Sequence, residues 1–326
     1  MTGAIPGFGD AWSAKLIGFA GGYIALGEVD RGGPVAWFSE NGRNGSWSAT
    51  PLARLQLNCP GRGPDGPEFF WDAVTRAIAT NGREVIVVGA AYTRCGSRPA
   101  AWHSSDGRSW ERSMAFGERA DTTATAAWST PAGWQTLTDT GIWESADGLA
   151  WRQIATLSMG TDVVAAAADG TVLAIRQQTD LGTIGPVVSH DGINWTPVVV
   201  PERCASATRI IPPSSPGLDA WVLIGDLALC TSVDLTTWTK TSMPVAFGGA
   251  APTRFGTVVL GDACYGHGVT CAPDLRAFVN GGGSWTTLPA QPAPWSWAIA
   301  DGPAGVLFMG TTPGQPGSLT VWALQP

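Results

Sequence analysis

Charge is scarce in this chain and histidine scarcer: Asp, Glu, Lys and Arg make up 14% of 326 residues, and 3 are His. The few charges lean acidic, with a net of −7, and no basic stripe is present. A nucleic-acid backbone or an anionic membrane would gain no long-range attraction, so neither is an expected partner. No apolar run approaches the ~20 residues that cross a bilayer, so no transmembrane segment is expected. Helical periodicity of any length is missing. There is no Cys-x-x-Cys pair, and His267, between Cys264 and Cys271, has no second His or acid beside it, so no metal and no cofactor is expected. Residues 1–10, MTGAIPGFGD, lack the charged and apolar regions of a signal peptide.

What the chain does have is 43 Gly, 24 Pro and 17 Trp, a composition suited to turns and thin sheets. A phrase, Ser-x-Asp-Gly-x-x-Trp, stands at Ser104 to Trp110, Ser145 to Trp151 and Ser189 to Trp195, and decays at Ser232 to Trp238. Looser copies end at Trp47 and Trp285. A period of about 40 to 45 residues with four short strands per unit marks a β-propeller. The turn aspartates Asp106, Asp147, Asp191 and Asp234 are structural, and each phrase-ending Trp should pack between neighbouring blades.

The last unit, from residue 295 to 326, supplies three strand-like runs and lacks a fourth. Trp12-Ser13-Ala14 repeats Trp47-Ser48-Ala49, so a strand at about 9–14 is expected to complete that blade, with Trp12 the remaining member of the Trp set (Trp47, Trp110, Trp151, Trp195, Trp238, Trp285). Closure of this kind hides unpaired strand edges. The expectation is an all-β, seven-bladed propeller of four-stranded antiparallel blades, one domain over 1–326.

Six cysteines can each be paired inside one blade: Cys59 with Cys95, Cys204 with Cys230, and Cys264 with Cys271. Disulfides point to an oxidising compartment, hence a secreted or cell-surface protein whose signal or anchor lies outside these residues.

The phrase resembles the Asp-box, or BNR repeat, of form Ser-x-Asp-x-Gly-x-Thr-Trp, with one residue fewer between Asp106 and Trp110. That family marks sialidases, other glycoside hydrolases and non-enzymatic propellers. The wider unit, residues 22–27 (GYIALG) followed by 36–39 (AWFS), is similar to repeats of exported actinobacterial propeller proteins. The resemblance implies a sialidase-like superfamily fold. The nearest phrase to the sialidase Arg-Ile-Pro motif is Thr208-Arg209-Ile210-Ile211-Pro212, and Arg76 and Arg254 also follow a Thr.

Turns alternate between the two ends of a propeller, which puts the Asp-Gly turns at one end and the connections between blades at the other. The elaborations, 52–72, 93–99, 177–185 and 263–270, fall at the second end, where loops commonly carry function. Trp71, Trp295 and Trp297 are the aromatic surplus there, with Tyr92, Tyr265 and His267 as polar companions. Such aromatics stack on sugars or anchor protein partners. The expected function is a binding module for a glycan or an extracellular protein. The alternative is a glycoside hydrolase using loop carboxylates such as Asp65, Glu68 or Asp72; a carboxylate pair about 5 to 10 Å apart would be its signature.

Overall fold

The computed structural model describes residues 2–5, 10–29, 33–53, 72–93, 96–113, 116, 122–156, 161–167, 169–176, 185–191, 193–213, 219–225, 227–243, 246–262, 275–281, 284–287, 295–311 and 319–323. The chain opens on a short strand, β1 (Thr2–Ile5), and then enters the first blade through β2 (Asp10–Phe19), β3 (Gly22–Val29), β4 (Gly33–Ser39) and β5 (Ser48–Pro51). The second blade is β6 (Asp72–Thr80), β7 (Val85–Thr93), β8 (Gly96–Ser104) and β9 (Glu111–Arg112). The third is β10 (Ala124–Thr130), β11 (Gly133–Thr138), β12 (Gly141–Ser145) and β13 (Arg152–Thr156). The fourth is β14 (Thr161–Ala166), β15 (Val172–Arg176), β16 (Pro186–Ser189) and β17 (Thr196–Pro197). A one-turn helix, α1 (Glu202–Ala205), leads to the fifth: β18 (Arg209–Ile211), β19 (Trp221–Gly225), β20 (Ala228–Ser232) and β21 (Thr239–Ser242). The sixth is β22 (Ala246–Thr253), β23 (Gly256–Asp262), β24 (Leu275–Gly281) and β25 (Ser284–Thr287). The last is β26 (Trp295–Gly302), β27 (Gly305–Thr311) and β28 (Leu319–Ala323).

Among the described residues these strands form seven four-stranded antiparallel sheets, each running from an innermost first strand to an outermost fourth. The innermost strands neighbour one another in the order β2, β6, β10, β14, β18, β22, β26 and back to β2, so the ring closes. In the last sheet the outermost place is taken by β1, whose Thr2, Gly3, Ala4 and Ile5 pair with Trp322, Val321, Thr320 and Leu319. The closing strand is therefore Thr2–Ile5 and not a strand at 9–14. Trp12 lies instead on β2, the innermost strand of the first blade, because β2 runs on to Phe19 and pairs with β3 from Asp10 to Phe19. Ile5 is buried and joins a core with Leu16, Tyr23, Trp37 and Val321.

The phrase is a turn that also fits the neighbouring blade. Asp191 Oδ1 accepts from the amides of Ile193 and Asn194 at 2.8 and 2.7 Å and from the Ser189 hydroxyl at 2.9 Å. Asp234 does the same with Thr236, Thr237 and Ser232. These amide bonds hold both carboxyls below the usual carboxylate range. The glycine that follows Asp106 has φ +74, and a Cβ on Gly107 would come 2.7 Å from the Phe38 ring of the preceding blade. Gly148 meets His103 and Gly42 meets Leu307 in the same way, so the first blade's turn rests on the last blade's second strand. In the decayed copy Leu235 stands in the glycine's place and keeps its left-handed φ of 62.

Of the phrase tryptophans, Trp47 and Trp151 are buried and Trp151 stacks on Phe116 at 4.8 Å between ring centres; Trp110, Trp195, Trp238 and Trp285 are half-buried. Trp128, outside the repeat positions, is also a core residue, its indole N–H donating to Gln135 Oε1 at 3.0 Å.

Candidate functional site

Because the first strand of each blade runs away from the blade-to-blade connections, the start of β6 and the end of β7 lie at the loop-rich end. Tyr92, near the end of β7 and half-buried, sits there. Arg76, displaced from the ladder where the β6–β7 register shifts between Thr75 and Ala77, is exposed, and its Nη2 donates to the Tyr92 hydroxyl at 3.3 Å. The hairpin that follows is tighter than expected: β7 reaches Thr93 and β8 begins at Gly96, so 96–99 are strand and not loop.

Lys15 on β2 reaches across from the first blade and donates from Nζ to the Thr75 carbonyl at 3.1 Å. Burial, reinforced by the nearby Arg76 guanidinium and opposed by Glu28, lowers its pKa to about 8. Across the ring, Arg209 on β18 is enclosed by protein, which lowers its pKa below the ordinary guanidinium value. Its side chain is nevertheless exposed by area, and it makes no ion pair among the described residues.

The strand registers put Lys15 and Arg209 at one height. Each pairs with the second-strand residue three places beyond the one opposite the phrase's first residue: Lys15 with Leu26, Arg209 with Ile224. The same place holds Ala77, Ala126, Val163 and Gly249 in the second, third, fourth and sixth blades. Small or apolar residues at four of these six places leave the two cations as the features of that level, with Arg76 beside one of them. The charge pattern could have been found in the sequence only once the innermost strands had been aligned by register.

The other expected site residues divide by position. Trp295 and Trp297 are on β26 itself, with Trp297 at a register shift between Ser296 and Ala298, and not in the connection leading to that strand; their side chains are outside the described residues. Trp71, Tyr265, His267, Asp65 and Glu68 lie outside the described residues altogether, as do Cys59, Cys95, Cys264 and Cys271. Asp72 begins β6. Cys204 and Cys230 are bonded, with Cα atoms 6.3 Å apart, and fasten α1 to β20. Arg254 is at a β22–β23 turn on the opposite end, where its guanidinium pairs with Asp301 of the next blade at 2.7 Å. No group of three or more metal-ligating side chains occurs among the described residues, and no described helix is long and apolar enough to cross a membrane.

No protein-family model matches the chain, and no curated protein matches it. Solved propellers do. The β-propeller domain of Cps50 (Swd1) from Myceliophteria thermophila superposes with a TM-score of 0.59 at 12% identity, covering 100% of both chains. BBS1N, solved in complex with ARL6DN, gives 0.60 at 10% identity over 100% of this chain and 96% of the other. The extracellular domain of BT4673 from B. thetaiotaomicron gives 0.52 at 9% identity over 98% of this chain and 39% of its own. At such identities the likeness establishes the class of protein, a β-propeller, and nothing about its ligand.

Lowering of the Lys15 pKa has a measurable consequence. In the unfolded chain this amine titrates near its ordinary 10.5, and in the folded chain near 8, so the folded state binds fewer protons between those values. The penalty of burying the ammonium is full below pH 8 and is relieved as the pH rises toward 10.5. Lys15→Met is expected to stabilise the fold by about 2 kcal/mol at pH 7, after allowance for the lost bond to Thr75, and by much less at pH 10. Urea unfolding of both proteins at the two pH values tests it; a pH-independent difference would overturn it.

Proposed function

We propose that the chain is a seven-bladed, single-domain propeller that acts as a secreted or cell-surface binding module. Its ligand, a glycan or a partner protein, enters at the loop-rich end and directs an anionic group at the cations of the channel wall. The observation that carries this reading is the level shared by Lys15 and Arg209, with Arg76 beside Lys15. In a chain of net charge −7, cations gathered on the innermost strands are held there against desolvation and mutual repulsion. An anion entering the channel offsets both costs. Tyr92, held by Arg76, offers an aromatic face at the entrance, and Trp297 is on an innermost strand at a matching register shift. The Cys204–Cys230 bond, of a kind that persists in oxidising compartments, supports the surface location.

A glycan array containing neutral and acidic sugars, read with the purified chain, tests the proposal. Binding is expected to favour acidic glycans. Arg209→Gln and Arg76→Ala, both at exposed side chains, are each expected to weaken it about tenfold, the worth of one charge-assisted hydrogen bond. Equal binding of neutral sugars, or undiminished binding by both variants, would remove the channel from the account.

A further inference from the structure

At the outer rim of the fifth blade, on the same loop-rich end, lies an open cavity of about 350 Å3 lined by Arg203, Leu227, Ala228, Lys240, Ser242 and Met243. Its walls come from α1, the β19–β20 hairpin and the end of β21, and each is tied to another. The Cys204–Cys230 bond fastens α1 to β20. The Arg203 carbonyl lies so close to Gly225 that a Cβ there would be 2.1 Å from it. The Met243 amide donates to the Leu227 carbonyl at 2.9 Å. The cavity is therefore built into the blade and does not depend on a free loop.

The chemistry of the lining is unusual for this chain. Leu227 is 40% exposed and holds φ 51, a left-handed conformation that costs a leucine about 1–2 kcal/mol and a glycine almost nothing. Arg203 and Lys240 are exposed, and among the described residues neither side chain forms a hydrogen bond or an ion pair. Met243 is buried. An apolar side chain held at the rim against its backbone preference, between two unpaired cations on an acidic protein, is complementary to a segment that carries carboxylates around an apolar residue.

We propose that this cavity docks an acidic, leucine-bearing segment of a partner protein. The segment's carboxylates pair with Arg203 and Lys240, and its leucine packs between Leu227 and Met243. The site is separate from the channel and does not rest on the ligand proposed there. Fluorescence anisotropy with a short labelled peptide of alternating glutamate and leucine is the test, with a lysine–leucine peptide as control. The glutamate–leucine peptide is expected to bind and to weaken as salt is raised. Arg203→Glu with Lys240→Glu is expected to weaken it more than about tenfold, Leu227→Asn to weaken it while keeping the hairpin, and Arg83→Ala, at an exposed residue between β6 and β7, to leave it unchanged. Binding of both peptides alike, of neither, or undiminished binding by the double variant would overturn the proposal. So would a concentration-dependent dimer of the chain that the double variant abolishes, since the occupant would then be a second copy.

Discussion

Gly18→Ala is expected to lower stability by about 3 kcal/mol or more, the upper range for a single substitution. Gly18 lies on β2, and a Cβ there would sit 2.0 Å from the carbonyl oxygen of Asp301, 2.7 Å from its carbon and 2.9 Å from the Gly302 Cα. All three obstacles are backbone, so no side chain can swing aside. The first and last blades would have to part at the point where the ring closes. Gly82→Ala is the matched control: φ is +91, yet nothing lies within 4 Å of the added carbon, so only the conformational cost of about 1–2 kcal/mol remains. Urea unfolding of the two variants beside the parent decides the matter. Equal losses would mean that the seam between β2 and β26 is looser than the close approach of Gly18 to Asp301 requires.

Deletion of residues 1–8 is expected to have a comparable effect on stability and a larger one on solution behaviour. It removes β1 and leaves β28 as an open edge bearing the buried residues Val321 and Trp322. Unpaired edges of this sort recruit other chains, so the shortened protein should self-associate in light scattering as well as melt at lower temperature. Ile5→Ala separates the two effects. It keeps the strand but empties a position 1% exposed, for an expected loss of about 2–4 kcal/mol without association. A shortened chain that stays monomeric and melts with the parent would show that β1 adds nothing to closure.

The turns were legible because they are local. A serine, an aspartate two residues on and the amides two and three residues beyond that aspartate complete the hydrogen bonding, as at Ser189, Asp191, Ile193 and Asn194, and no distant partner is needed. The closing strand was not legible for the opposite reason. Thr2–Ile5 has no tryptophan and no phrase, and it is a strand only because β28 lies beside it; Trp12-Ser13-Ala14 copies an outer-strand pattern yet belongs to an innermost strand. The His103 ring likewise depends on a distant neighbour, for it sits under Gly148 of the next blade, with 15% of its side chain exposed and Nε2 3.4 Å from Glu84. The candidate site was the least legible part. Lys15, Arg76 and Arg209 are far apart along the chain, and only the registers of three different hairpins put Lys15 and Arg209 at one level and Arg76 near Lys15.

The pairing of β1 with β28 also sets how the molecule answers to force. The strands are antiparallel, with Thr2 opposite Trp322 and Ile5 opposite Leu319, so the two chain ends leave the sheet from the same side. A pull applied through those ends loads the rungs in succession, beginning at Thr2, and does not load all of them together in shear. The clasp should therefore peel at low tension, while the other blades, whose strands are joined by turns within the ring, are not yet strained. Tethered by its ends, this propeller would open at a single predetermined seam.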